Sequence, residues 1–179
     1  MKHYDCIAIG TGSAMNVVQG LLERNPEANV AVVDKDAPGG ICLNKACIPS
    51  KLLVYPAEVV RQVQDASRHG VLAEVKDVDF QAIMRRMRTV VSEESRSIQE
   101  NLSHSEDLDY YRAVAEFIGP YTLWVGEEEI SADMILLCPG SRPAIPGIDG
   151  LEDVEYLTSD TLLELEELPG SLVIVGGGY

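Results

Sequence analysis

The chain has 179 residues, with 14 Lys and Arg against 29 Asp and Glu, a formal charge of −15. Its 46% hydrophobic and 24% charged residues are those of a folded globular protein and exclude disorder, while the acidic balance argues against a nucleic-acid partner, which needs clustered cations. No apolar run approaches the roughly 18 residues that span a bilayer, and the opening MKHYDCIAIG is interrupted by Asp5 and Gly10, so neither a membrane segment nor a signal peptide is expected and the protein reads as cytoplasmic.

Residues 4–9 (YDCIAI) predict a short buried strand, followed by a glycine turn and an amphipathic helix through Arg24. Val17, Val18, Leu21 and Leu22 are expected on its inner side, and Asn25-Pro26 ends it. Residues 29–33 (NVAVV) predict a second buried strand with Asp34 just past its end, completing a parallel β-α-β unit with a right-handed crossover. A helical stretch is predicted from Cys42 to about Tyr55, interrupted near Pro49, and another over 56–69. A long helix is predicted over 79–102 with Asp79 as its cap and Phe80, Ile83, Met84, Met87, Val90, Val91, Ile98 and Leu102 as its packing stripe. Arg85, Arg86 and Arg88 on it read as a solvated face. AVAEFIG, YTLWVG and EEISADMILLC then read as an antiparallel meander ending in a buried strand. A Pro/Gly-rich connection, a short acidic helix (SDTLLELEEL) and a last buried strand (SLVIV) follow. That strand runs into glycines and repeats the opening strand-Gly-x-Gly pattern without its helix, as though the chain were cut short.

Two segments carry chemistry. In Gly10-Thr11-Gly12-Ser13-Ala14-Met15, one glycine serves a tight turn and the second lets backbone approach a pyrophosphate at a positive helix end. Met15 stands where Gly or Ala usually gives close helix–strand contact. Asp34, 22 residues after Gly12, is placed to accept hydrogen bonds from a ribose. In residues 39–51 (GGICLNKACIPSK), Cys42 and Cys47 stand five positions apart. On an ideal helix their Cα atoms would be about 8–9 Å apart, whereas a disulfide prefers less than about 7 Å. A bond between them therefore needs a distorted helix and would be strained and reducible. A close pair in a reducing compartment points to catalysis or to a metal. Zinc wants a second pair, which is missing, and Cys-x-x-Cys redox spacing does not occur. Cys6 and Cys138 read as inert core thiols.

The G-G-x-C-x-N-x-x-C-I-P-S-K run resembles that of the pyridine nucleotide–disulfide oxidoreductases, and within that family it is most similar to the dihydrolipoamide dehydrogenases. The order of features matches along all 179 residues. The resemblance implies an α/β, Rossmann-like FAD/NAD(P)-binding fold: a parallel sheet with helices plus an antiparallel β-meander. Residues 1–147 would be the first segment of an FAD domain, 148–170 a connection, and 171–179 the first strand of a truncated NAD(P)-binding domain. Gly10, Gly12 and Ser13 would hold the FAD pyrophosphate and Asp34 the adenosine ribose, with Ala115 by the adenine. Cys42 would be the interchange thiol, Cys47 would face the flavin, and Lys51 would lie near its reactive nitrogen. Gly40 belongs to the same cofactor-binding turn, Gly140 and Ser141 match the later part of a flavin-side A-T-G-S turn, and Gly176 and Gly178 open the NAD or NADP site. Pro139 replaces that turn's threonine, removing a donor and a hydroxyl.

The implied activity is electron transfer between a dithiol or disulfide substrate, dihydrolipoamide first, and NAD(P) through Cys42–Cys47 and FAD. The substrate would be a small molecule or a lipoyl domain, and the full-length family forms homodimers. A glutathione, mycothione or mercuric reductase-type member, or a non-catalytic truncated FAD-binding fragment, are the alternatives. The family's acid–base histidine lies in a C-terminal domain of the partner subunit, and none of His3, His69 and His104 matches it.

Overall fold

A computed structural model describes residues 1–177. In chain order it contains β1 (Lys2–Ile9), α1 (Ala14–Arg24), β2 (Val30–Val33), α2 (Gly40–Asn44), α3 (Cys47–Asp65) and α4 (Phe80–Ser103). The strands β3 (Asp109–Tyr111), β4 (Ala115–Gly119), β5 (Thr122–Val125) and β6 (Glu128–Leu137) follow, with 3-10 turns at Leu151–Asp153 and Thr161–Glu164. One six-stranded sheet runs in the order β3-β2-β1-β6-β5-β4. β2 and β6 flank β1 in parallel, with Ile7 opposite Ala31 on one side and Ile135 on the other. β3 adds in parallel to β2, while β4, β5 and β6 form the antiparallel meander. The expected α/β architecture is therefore present.

β3 and β4 lie at opposite ends of the strand order, yet only residues 112–114 separate them. The sheet must therefore curl, and the meander folds over one face of the parallel strands. Strand alternation then builds two cores. Ile7, Ala31 and Val33 meet Leu123, Val125, Ile130 and Ala132 under the meander. Cys6, Ala8, Val30 and Val32 meet Ala14 and Val18 of α1 on the other face. Cys6 is a core thiol as expected, and Cys138 packs half-buried at the same core's edge.

Several local expectations are corrected. Val17 is 53% exposed, because Ala14 and Val18 define the inward face of α1. The predicted break near Pro49 is not there: Pro49 sits in the first turn of α3, where a missing amide has no helical partner to lose. The chain breaks instead at Lys45 and Ala46, whose amides both donate to the Ile41 carbonyl at 2.9 Å. α3 then continues through Pro56, merging the two predicted helices. The long helix and its cap stand as expected, the Asp79 carboxylate accepting from the Ala82 amide at 2.8 Å. Arg85 and Arg86 are exposed, but Arg88 is half-buried, its guanidinium donating to the carbonyls of Leu163 and Leu165.

β3 was not legible in the sequence, since three residues show no periodicity. The end of β6 is less buried than MILLC suggests: Met134 and Leu137 are 51% and 63% exposed. The core under α1 is built on β1 and β2, and β6 adds only Leu136 to its edge. The acidic helix shrinks to a 3-10 turn at Thr161–Glu164. The predicted strand over 171–175 is not formed: Val173, Ile174 and Val175 are exposed, and these residues join no strand of the sheet.

A polar cluster closes the curled sheet at the amino ends of the parallel strands. The buried Tyr4 donates its hydroxyl to Asp109 at 2.6 Å and lies 2.7 Å from the Tyr111 hydroxyl. The Lys2 ammonium lies 3.4 Å from Asp109, and Tyr111 donates to Glu128 at 3.3 Å. Burial, with the Asp109 and Tyr111 contacts, pushes the Tyr4 hydroxyl well above its ordinary value. The Tyr4 hydrogen bond holds Asp109 below the usual carboxylate range, and Tyr111 and Asp109 raise Lys2. The raised groups stabilise the fold fully below their unfolded pKa, and that stability is lost as pH rises beyond about 10. The lowered Asp109 contributes above its unfolded pKa and loses that contribution as pH falls below about 4. Tyr4→Phe is expected to cost about 1–3 kcal/mol, the scale of stripping a partner from a buried hydrogen bond. It should also flatten both limbs of the stability–pH curve measured by urea unfolding.

Candidate functional site

The carboxyl ends of β1, β2 and β6 meet where the strand order changes direction, the place where open α/β sheets bind ligands. Three glycine turns converge there. Gly10 leaves β1 at φ +105°, and a Cβ on it would overlap the Cys138 carbonyl at the exit of β6. Its amide donates to Val33 of β2 at 2.7 Å, so one residue ties three strand ends together. Gly12 faces Gly40, which opens α2 at φ +66°; a Cβ on Gly40 would lie 2.6 Å from the Gly12 Cα. The third turn contains Gly140 (φ +77°), where a Cβ would stand 3.1 Å from the Ile41 side chain of α2. Ser141 beside it is exposed, and Pro139 brings no amide to this turn.

The nucleotide-type loop ends at the positive end of α1, whose first turn carries no acidic residue. Among the described residues, the amides of Gly12, Ser13 and Ala14 have no acceptor, and the Ser13 side chain is exposed. Ala14 is fully buried against the core, so it supplies the close helix–strand contact that Met15, half-buried at the rim, does not. Asp34 is engaged with the loop. Thr11, buried between the motif glycines, donates its amide and hydroxyl to Asp34 Oδ2 at 2.8 and 2.6 Å. The same hydroxyl accepts from the Gly39 amide at 3.1 Å, and Asp34 Oδ1 accepts from the Asp36 amide at 3.0 Å. Sequence reasoning missed Thr11, although a hydroxyl flanked by two turn glycines was the available signal.

Asn44 was also missed. Its side-chain amide donates to the carbonyls of Ala37, Pro38 and Gly40 at 3.0–3.1 Å, locking the turn from which α2 springs. Beyond Asn44 comes the break at Lys45 and Ala46, and Cys47 is the first residue of α3. Cys42 and Cys47 are free and exposed, and their side chains face one another across the break. Hydrogen bonding with Cys47 pushes the Cys42 thiol up, with Lys51 acting in the opposite sense. Lys51 follows Cys47 by four residues, one helical turn, so the two share a face of α3. An exposed dithiol at a helix start, with an ammonium one turn on, suits thiol–disulfide exchange.

The structure thus gathers Gly10, Gly12, Ser13, Asp34, Gly40, Cys42, Cys47, Lys51, Gly140 and Ser141 about one set of strand ends. Ala115 opens β4 four residues past Tyr111, whose carbonyl accepts from the Asp34 amide at 3.0 Å, and it stands opposite Val125, packed against the core under the meander. Gly176 has open space about it, and Gly178 lies outside the described residues. Among the described residues, no group of three or more His, Cys, Asp or Glu side chains is arranged to hold a metal, and no helix is long and apolar enough to cross a membrane.

The sequence profile described as pyridine nucleotide-disulphide oxidoreductase matches residues 4–179, and the chain belongs to that family. It is 34% identical over 185 residues to mycothione reductase of Mycobacterium tuberculosis, matching all of this chain and 40% of that protein. It is 35% identical over 182 residues to mercuric reductase of Streptomyces lividans (98% of this chain, 38% of the relative). It is 33% identical over 189 residues to dihydrolipoyl dehydrogenase of Bacillus subtilis (98% and 39%). The fold superposes on the HOCl-induced flavoprotein disulfide reductase RclA from Escherichia coli with a TM-score of 0.75 at 28% identity, covering 93% of this chain and 35% of that one. The chain therefore spans about two-fifths of the length of these relatives.

Members of the family use FAD and NAD(P)H. The residues present fit the flavin nucleotide's pyrophosphate: three unpartnered amides at a helix N-terminus, no carboxylate in that helix's first turn, and glycines that keep the approach clear of side chains.

Proposed function

We propose that this protein is a flavin-dependent disulfide oxidoreductase passing electrons between a dithiol or disulfide substrate and NAD or NADP. The observation that carries the reading is the packing of Gly40 on Gly12, which fixes the dithiol helix to the nucleotide loop. The amides of Gly12, Ser13 and Ala14 would hold the pyrophosphate, Asp34 the ribose, and Ala115 the adenine side. Lys51, Gly140 and Ser141 would border the isoalloxazine, and Gly176 and Gly178 would open the nicotinamide nucleotide site. FAD, when bound, supplies the two-electron chemistry between dithiol and nicotinamide.

The chain's own part is thiol exchange. A substrate thiolate attacks Cys42 of the Cys42–Cys47 disulfide, forming a mixed disulfide and releasing Cys47 as thiolate. The second substrate thiolate then attacks the substrate sulfur of that bond, releasing Cys42 and leaving the substrate as a disulfide. The two substrate protons pass to the sulfurs of Cys42 and Cys47, so the protein holds the electron pair as a dithiol. The substrate we propose is dihydrolipoamide, on the strength of the run over 39–51, with a homodimer as the working unit in the cytoplasm. The similarities to mycothione, mercuric and dihydrolipoyl enzymes, at 34%, 35% and 33%, define the competitors.

Purified protein is expected to carry one FAD per chain, and mild reduction is expected to expose two thiols at Cys42 and Cys47 and no others in that step. Rates with dihydrolipoamide, mycothione disulfide, glutathione disulfide and Hg(II) measured side by side then rank the substrates. A protein that neither contains FAD nor takes it up overturns the proposal.

A further inference from the structure

The connection after the meander returns to the dithiol. Residues 158–161 form a tight hydroxyl-capped turn. The Thr158 amide donates to Thr161 Oγ1 at 2.8 Å, and the Asp160 and Thr161 amides donate to Thr158 Oγ1 at 3.2 and 3.3 Å. That turn presents Asp160, whose carboxylate lies 2.8 Å from the Lys45 ammonium. Immediately beyond it, Arg88 of α4 donates Nε to the Leu163 carbonyl at 3.1 Å and Nη2 to the Leu165 carbonyl at 2.8 Å. Leu163 also lines, with Asn44 and Met87, a groove between α2 and α4. Residues 158–165 are therefore fastened at one end to the dithiol segment and at the other to the long helix.

Lys45 is the first of the two residues that separate α2 from α3, between Cys42 and Cys47. On an unbroken helix, positions five apart hold their Cα atoms about 8–9 Å from each other, beyond the roughly 7 Å limit for a disulfide. The kink is thus a condition for the bond, and Lys45 is the side chain through which a distant segment grips it.

Taking Cys42 and Cys47 as the redox pair of the proposed function, we propose that residues 158–165 are a strap that holds this kink, with Lys45, Asp160 and Arg88 as positioning residues for the dithiol. The strap acts twice in the same direction. It holds the kinked form that the disulfide requires. By pairing with Asp160, it also keeps the Lys45 ammonium from stabilising the thiolates of the reduced form. Removing Asp160 undoes both, whereas removing Lys45 undoes only the first.

The test is the equilibrium between the protein dithiol plus oxidised glutathione and the protein disulfide plus two reduced glutathiones. Purified protein is poised in glutathione buffers, alkylated, and read at Cys42 and Cys47 by mass spectrometry. Asp160→Asn is expected to lower the equilibrium constant for disulfide formation about fivefold, the upper range for a surface ion pair. Lys45→Ala should lower it about twofold to threefold, and Lys45→Arg should restore it. In a Lys45→Ala/Asp160→Asn double variant the two losses should fail to add. Melting temperatures measured alongside should move by no more than a few degrees, which separates positioning from unfolding. Constants within experimental error of the parent in both single variants overturn the strap. Absence of any Cys42–Cys47 disulfide in the parent protein overturns the dithiol assignment itself.

Discussion

Cys42→Ser and Cys47→Ser are each expected to lower disulfide-exchange turnover by at least about a thousandfold, the scale on which loss of a nucleophile is felt. The two variants should fail differently. Both sulfurs are exposed, and they face one another across the break between α2 and α3. With Cys47 replaced, Cys42 still attacks a substrate disulfide, but no second thiol resolves the product, so a stable mixed disulfide should accumulate and be seen by intact-mass measurement. With Cys42 replaced, the remaining thiol is the one proposed to face the flavin, and little adduct should form. The double variant should be no worse than either single one, because the two sulfurs act as a unit. Equal adduct yields from both single variants would reverse or erase the assigned division of labour.

Gly40→Ala should separate the fold from the site. At φ +66° a non-glycine residue costs about 1–2 kcal/mol in the backbone alone. The new Cβ would also stand 2.6 Å from the Gly12 Cα and 3.2 Å from its amide nitrogen, both backbone atoms that no side-chain rotation can clear. Either α2 or the nucleotide loop must shift. The expected result is a loss of about 2–4 kcal/mol in urea unfolding, combining backbone strain with local overpacking, and FAD content reduced at least tenfold. Gly20→Ala is the control: a Cβ there meets nothing within 4 Å, and the position lies inside α1. It should stabilise the protein by about 0.5–1 kcal/mol through helix propensity alone and leave flavin content unchanged.

The elements with strong periodicity were legible in the sequence. The opening β-α-β unit, the long helix with its Asp79 cap and the meander all rest on apolar spacing and turn residues that act locally. The candidate site left its trace in the sequence as glycines at sharp turns and a close cysteine pair. What escaped notice depends on distant partners. β3 exists because β2 offers a free edge, and Tyr4 and Asp109 find each other only after the sheet curls. Arg88 looked solvated because the carbonyls it binds lie 75 and 77 positions along the chain. The helix break was placed at Pro49, since proline advertises a break, while the true one depends on a shared carbonyl at Ile41. The last apolar run looked like a strand because hydrophobicity marks the capacity to pair and carries no information about whether a neighbour is present.

The pairing of β1 with β6 sets a timetable for biosynthesis. Lys2 stands opposite Ile130 and Ile9 opposite Leu137, so β1 waits for a neighbour encoded 128 positions further on. At typical elongation rates of about 5–20 residues per second, that wait is on the order of ten seconds. β2 arrives early and shields one edge of β1. The other edge stays open throughout, with the Gly10 turn unable to settle until Cys138 is delivered beneath it. Until β6 is made, the nascent chain presents a bare apolar edge to its surroundings, and the cradle formed by the three strand ends cannot close.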